Sequence, residues 1–124
     1  MQTKKILIVD DDEPILNGIS DKFTHEGFSV FKAKNGQEGF DVALREHPDL
    51  IITDILMPNI NGLLFLENLR KDEWGKDARV LIWSNSHNST TVEQAKKLGV
   101  IEFVIKSDWE YKDVVNKVRV ILGM

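Results

Sequence analysis

A chain of 124 residues fits one domain, able to bury roughly two-thirds of the surface that its unfolded form exposes. Its 42% hydrophobic and 29% charged residues are those of an ordinary globule, and a net charge of −4, from 16 basic and 20 acidic residues mixed along the chain, leaves no basic stripe for nucleic acid. The absence of cysteine excludes disulfides, thiolate metal sites and thiol nucleophiles, and no apolar stretch reaches the roughly 18 residues of a membrane span.

Ile6-Leu7-Ile8-Val9 is the first strand-like run, entered from lysines and left through aspartates, with no signal-like region after Met1. A helix follows, in which Ile15, Ile19 and Phe23 repeat every four residues; Pro14 suits its first turn, where no amide donor is needed, and Gly27 offers a stop. A weaker strand spans 28–33, carrying Phe28, Val30 and Phe31. Asn35 caps a second helix bearing Phe40, Ala43 and Leu44, which His47-Pro48 ends. Leu50-Ile51-Ile52 runs into Thr53-Asp54, and a third helix starts near Gly62 and buries Leu66 and Leu69. After the run Val80 to Trp83, a fourth helix follows Ser89-Thr90 with Val92, Ala95 and Leu98 inward and Gly99 as terminator. Phe103-Val104-Ile105, with Ile101 ahead of it, forms the last strand. The final helix starts after Ser107-Asp108 and buries Val114 or Val115, Val118, Ile121 and Leu122. His25 and His47 fall at helix ends as solvated or capping residues, His87 lies in a loop without a second histidine at ligand spacing, and Trp74 either marks a contact surface or covers a hydrophobic edge.

Residues 1–124 therefore read as a single α/β domain, (βα) repeated five times, whose continuous apolar strands are covered on both faces. Right-handed crossovers then give a doubly wound, flavodoxin-like parallel sheet of order 2-1-3-4-5, which binds ligands outside the strands' carboxyl ends where the order reverses. Asp10, Asp11 and Asp54 belong at that edge, and Lys106 follows the fifth strand onto it.

Clustered carboxylates repel one another unless a cation intervenes. Magnesium, which takes oxygen ligands and retains several waters, suits the group: Asp11 and Asp54 as direct ligands, Asp10 orienting a metal water, and the backbone carbonyl of Leu56 as a further oxygen. The plainer alternative is that 10–13 is a solvated capping run before the first helix. Asp54 is a candidate nucleophile toward a phosphoryl group, with Lys106, the Ser84 hydroxyl and the amide of Asn85 available to neutralise the transferred oxygens.

The stretches ILIVDDDEP (6–14), DLIITDILMPNING (49–62), VLIWSNS (80–86) and LGVIEFVIKSDW (98–109) resemble the receiver domains of two-component response regulators over essentially the whole chain. That resemblance implies Asp54 as phosphoacceptor, Asp10 and Asp11 as the acidic pair, Ser84 as switch hydroxyl, Lys106 as phosphate-sensing lysine and Phe103 as switch aromatic. It further implies a sensor histidine kinase or histidine phosphotransfer protein as donor, a downstream protein target reached through the fourth helix, fifth strand and fifth helix, and a cytoplasmic location without nucleic-acid or membrane contact. A receiver standing alone is the expectation that Met1 favours.

Four positions depart from the family pattern. Asn85 stands where a small residue is usual and would crowd or hydrogen-bond the phosphoryl group. Ser107 replaces the usual proline, so a cis bond is not expected. Trp83 is larger than the aliphatic residue usual there, and Ile101 replaces an acidic residue of a charged dimer network. The main alternative is an interaction module that keeps the fold without the phosphoryl chemistry. A phosphatase of the haloacid dehalogenase kind wants a second aspartate two residues after the nucleophile, where Leu56 stands, and neither nucleotide-binding glycine motif occurs.

Overall fold

A computed structural model describes residues 3–57, 61–85 and 88–124. Five strands, β1 (Lys5–Val9), β2 (Ser29–Ala33), β3 (Leu50–Thr53), β4 (Val80–Ser84) and β5 (Glu102–Ile105), form one parallel sheet of order β2-β1-β3-β4-β5. Between and after them run α1 (Glu13–His25), α2 (Gly36–Glu46), α3 (Gly62–Lys71), α4 (Ser89–Lys97) and α5 (Tyr111–Leu122).

Alternation along each strand divides the core into two layers. Ile6 and Ile8, Leu50 and Ile52, Leu81 and Trp83, and Val104 face α1 and α5, packing with Leu16, Ile19, Phe23, Val114, Val115 and Val118. Leu7 and Val9, Ile51, Val80 and Ile82 face α2, α3 and α4, with Ala43, Phe65, Leu66, Leu69 and Ala95. Both layers are continuous, so the three central strands read as unbroken apolar runs.

The first four helices share one start signal. Asp12, Asn35, Asn61 and Asn88 each sit at the N-cap and accept a bond from the amide three residues on, at 3.2, 2.9, 3.0 and 2.8 Å. Gly27 and Gly99 follow α1 and α4 with positive φ, as their expected role as stops requires. His47 caps α2 in the same left-handed region, at φ 46°, and stacks on Trp74 with centroids 4.5 Å apart. Trp74 therefore covers an edge of the core and is only half-exposed.

Three expectations shift. The buried stripe of α1 is Leu16, Ile19, Ser20 and Phe23, with Ile15 only half-buried, because the helix turns its 3.6-residue rather than 4-residue repeat to the sheet. On α2 the buried positions are Gly36, Gly39 and Ala43, while Phe40 and Leu44 lie at the margin. The last helix does not follow Asp108 directly. Lys106–Asp108 is a 3-10 turn whose Ser107 amide donates to Asn85 Oδ1 at 2.8 Å, and α5 begins only at Tyr111, where the Glu110 amide donates to Asp113 Oδ2 at 2.9 Å.

Candidate functional site

The same alternation that builds the α1–α5 layer builds the site. Asp10, Asp54 and Lys106 each stand two residues beyond an inward-facing residue of that layer, Ile8, Ile52 and Val104. Their strands lie in the order β1-β3-β4-β5, so the three side chains emerge side by side at one sheet edge. The backbone fixes the carboxylates' height: the Asp10 amide donates to Ala33 O at 3.0 Å and the Asp54 amide to Val9 O at 3.1 Å.

Asp10 is 1% and Asp54 9% exposed, and Asp11 is exposed beside them. One carboxylate oxygen from each of the three lies within 4.8 Å of the others. Lys106 Nζ enters this group at 2.6 Å from Asp10 Oδ2 and 2.7 Å from Asp54 Oδ2. The remaining oxygens are partly held. Asp10 Oδ1 accepts from the Asp12 amide at 3.0 Å, and Asp54 Oδ1 from the Ile55 amide at 2.6 Å. Asp10 Oδ2 is buried against the Lys106 ammonium.

Burial pushes the Asp10 carboxyl above its ordinary value, and the bonds from Lys106 and the Asp12 amide offset only part of that. For Lys106 burial works downward, but Asp10 and Asp54 together outweigh it and hold the ammonium above the ordinary lysine value. The lysine thus stays charged between its two carboxylates. The all-oxygen donor set of three clustered carboxylates fits a hard divalent cation rather than a soft one.

The other expected site residues surround this centre. Ser84 ends β4 in full burial. Asn85 is exposed, and its side-chain oxygen is turned to the Ser107 amide, which ties the end of β4 to the turn carrying Lys106. The Leu56 side chain is 67% exposed. Phe103 is half-buried and packs on the opposite layer, paired with Ile82 of β4. All peptide bonds among the described residues are trans, including the one between Lys106 and Ser107. Gly62, which opens α3, presses on the Asp54 peptide: a Cβ there would overlap the Asp54 carbonyl oxygen and lie 2.7 Å from Ile55 Cα. His87, and Pro58 to Ile60 of the quoted motif, lie outside the described residues.

Two features escaped sequence reasoning. Trp83 was notable there only for its size, yet Lys106 Nζ lies over its ring, 5.2 Å from the centroid. Arg70 drew no notice, yet its guanidinium gathers the carbonyls of Leu98 at 2.6 Å, Gly75 at 2.7 Å and Ala78 at 2.9 Å. An arginine in the last turn of a helix was the only available signal.

Residues 6–119 match the model of the response regulator receiver domain. The chain belongs to that family. It is 30% identical to sporulation initiation phosphotransferase F of Bacillus subtilis over 94% of each chain. It is 29% identical to the response regulator ArlR of Staphylococcus haemolyticus, covering 94% of this chain but only 52% of that protein. In three dimensions it resembles a CheY-like receiver domain protein from Methanospirillum hungatei, with TM-score 0.91 at 24% identity, covering 98% of this chain and 95% of that one. Receiver domains are signalling domains rather than catalytic enzymes. No helix among the described residues is long and apolar enough to cross a membrane.

Proposed function

We propose that this receiver takes a phosphoryl group onto Asp54 from a phosphohistidine of a sensor histidine kinase or histidine phosphotransfer protein. The observation that carries this reading is the Asp54 carboxylate, set at the strand edge with Asp10 and Asp11 beside it and Lys106 at 2.7 Å. An Asp54 oxygen attacks phosphorus as the phosphorus–nitrogen bond of the donor breaks; the imidazole leaves with a proton, and an acyl phosphate remains. Lys106 holds one phosphoryl oxygen by charge, while the Ser84 hydroxyl and the Asn85 amide donate to others. Asp11, Asp54 and the Leu56 carbonyl are the residues to hold Mg2+, with Asp10 orienting one of its waters. When bound, that ion neutralises charge shared between the carboxylates and the phosphoryl oxygens.

Drawing Ser84 and Lys106 toward the phosphoryl group biases the face of α4, β5 and α5, with Phe103 at its centre, and a downstream protein reads that face in the cytoplasm. A complete swing between two states needs a preference of about 5 kcal/mol, within reach of a buried covalent dianion and its counter-charges. The phosphotransferase named above, alike along its whole length, lends the transfer step further support.

Intact mass after incubation with acetyl phosphate, with and without magnesium, tests the proposal on wild type and Asp54→Asn. The expected result is a magnesium-dependent gain of one phosphoryl group that the variant loses. A folded wild type that gains nothing is an interaction module instead. A gain that survives in Asp54→Asn moves the acceptor elsewhere.

A further inference from the structure

Trp83 occupies the position on β4 next to both partners of the central ion pair. It lies one residue beyond the Ile82–Thr53 pair, hence beside Asp54, and it pairs directly with Val104, two residues before Lys106. Its side chain faces the α1–α5 layer, the same face on which Asp10, Asp54 and Lys106 emerge. The indole is 2% exposed, and Lys106 Nζ sits over it at 5.2 Å, inside the distance at which a ring face attracts a cation.

Its ring is itself wedged. Tyr111, the first residue of α5, meets it edge-on with centroids 6.0 Å apart and planes at 72°. The Tyr111 hydroxyl in turn lies against Gly18 of α1, where a Cβ would come within 2.7 Å of the phenolic oxygen. Gly18, Tyr111, Trp83 and Lys106 thus form a continuous column from the first helix to the carboxylates. Among the described residues the buried indole Nε1 has no hydrogen-bond partner, a cost a purely space-filling residue would not carry.

We infer that Trp83 is a positioning residue for Lys106: its ring face, backed by Tyr111 over Gly18, holds the ammonium at the point where the phosphoryl oxygens of Asp54 arrive. An aliphatic residue fills the volume but presents no negative face, so the ammonium is then fixed by its carboxylates alone and is free to swing once one of them is modified. Without the ring the placement weakens by a factor of about five to thirty, the range from an exposed to a desolvated cation over indole. The inference rests on the phosphoacceptor reading for its consequence, but not for its geometry.

Two variants separate ring from bulk: Trp83→Phe keeps an aromatic face, and Trp83→Met keeps apolar volume. In metal-free protein, NMR of the Lys106 ε-methylene reads the ring directly. The expected result is an upfield shift relative to other lysines in wild type, partly kept in Trp83→Phe and abolished in Trp83→Met. Phosphorylation by acetyl phosphate at saturating magnesium should then fall about tenfold in Trp83→Met and less than threefold in Trp83→Phe, with magnesium affinity equal in all three. A wild-type shift no different from the other lysines, or equal rates in the two variants, overturns the inference. If wild type takes no phosphoryl group at all, the phosphoacceptor reading fails, and the methylene shift alone still decides whether Trp83 holds Lys106.

Discussion

Lys106 carries the most consequence of any single residue, because it is the sole side-chain cation in contact with two buried or nearly buried carboxylates among the described residues. Its folded-state affinity for a proton exceeds the ordinary lysine value of 10.5. The folded form therefore holds the proton more tightly than the unfolded chain, and the stability this contributes is complete below 10.5 and lost as pH rises through the higher folded value. Metal-free urea unfolding above pH 10.5 should show that loss in wild type, and less of it in Lys106→Met. An identical alkaline limb in the two proteins would refute it. Asp10 has the same sign in a more acidic window. Its burial favours the protonated form, so it costs stability as pH climbs from 3.8 through the raised folded value. The placement of these residues at one sheet edge was readable because each follows a short apolar run. Their pairing was not: that Lys106 reaches Asp10 as closely as Asp54 depends on the sheet order, which places β5 two strands from β3 and leaves a long side chain to bridge the gap.

Among the elements, the start of α2 was legible because the Asn35 cap is a local signal that needs no tertiary context, whereas α4 was expected after Ser89-Thr90 and starts at Ser89, capped by Asn88. The start of α5 was misplaced for the complementary reason. Ser107 and Asp108 look like a cap, but the Ser107 amide is committed to Asn85, just past the end of β4, and no local pattern reports that bond. The same distinction hides Arg70, whose partners are backbone carbonyls of the following turn and of the distant Leu98. One guanidinium joins the end of α3 to the turn before β4 and to the stretch between α4 and β5. Burial pushes it below the ordinary arginine value, yet it stays charged. Arg70→Lys keeps the charge and loses the planar fork, so it should cost about 1–3 kcal/mol in urea unfolding and speed amide exchange around Gly75 and Gly99. Unchanged stability and exchange would mean that these loops hold without it.

For the whole molecule, strand order and the two-layer core followed from continuous apolar runs separated by amphipathic ones, and the sheet has the expected order. Less visible was how the layers share work: one carries the carboxylates and lysine, and the other carries Phe103 and α4. A ligand that binds only the folded acidic cluster stabilises the entire domain, by about 2.7 kcal/mol at a hundredfold excess over its dissociation constant. Magnesium should accordingly raise the thermal midpoint of wild type, and Asp11→Asn, which alters an exposed side chain, should blunt the rise while leaving the metal-free midpoint near its original value. A rise of equal size in both would remove Asp11 from the ligand set. The three tryptophans also divide the molecule among themselves. Trp83 is buried beside the carboxylates, Trp74 lies face to face with an imidazole at the end of α2, and Trp109 packs half-buried before α5. Each indole therefore senses a different region, and proteins keeping one tryptophan at a time would turn this domain into three separate optical channels: one for the carboxylate edge, one for the helix-end stack and one for the approach to the last helix.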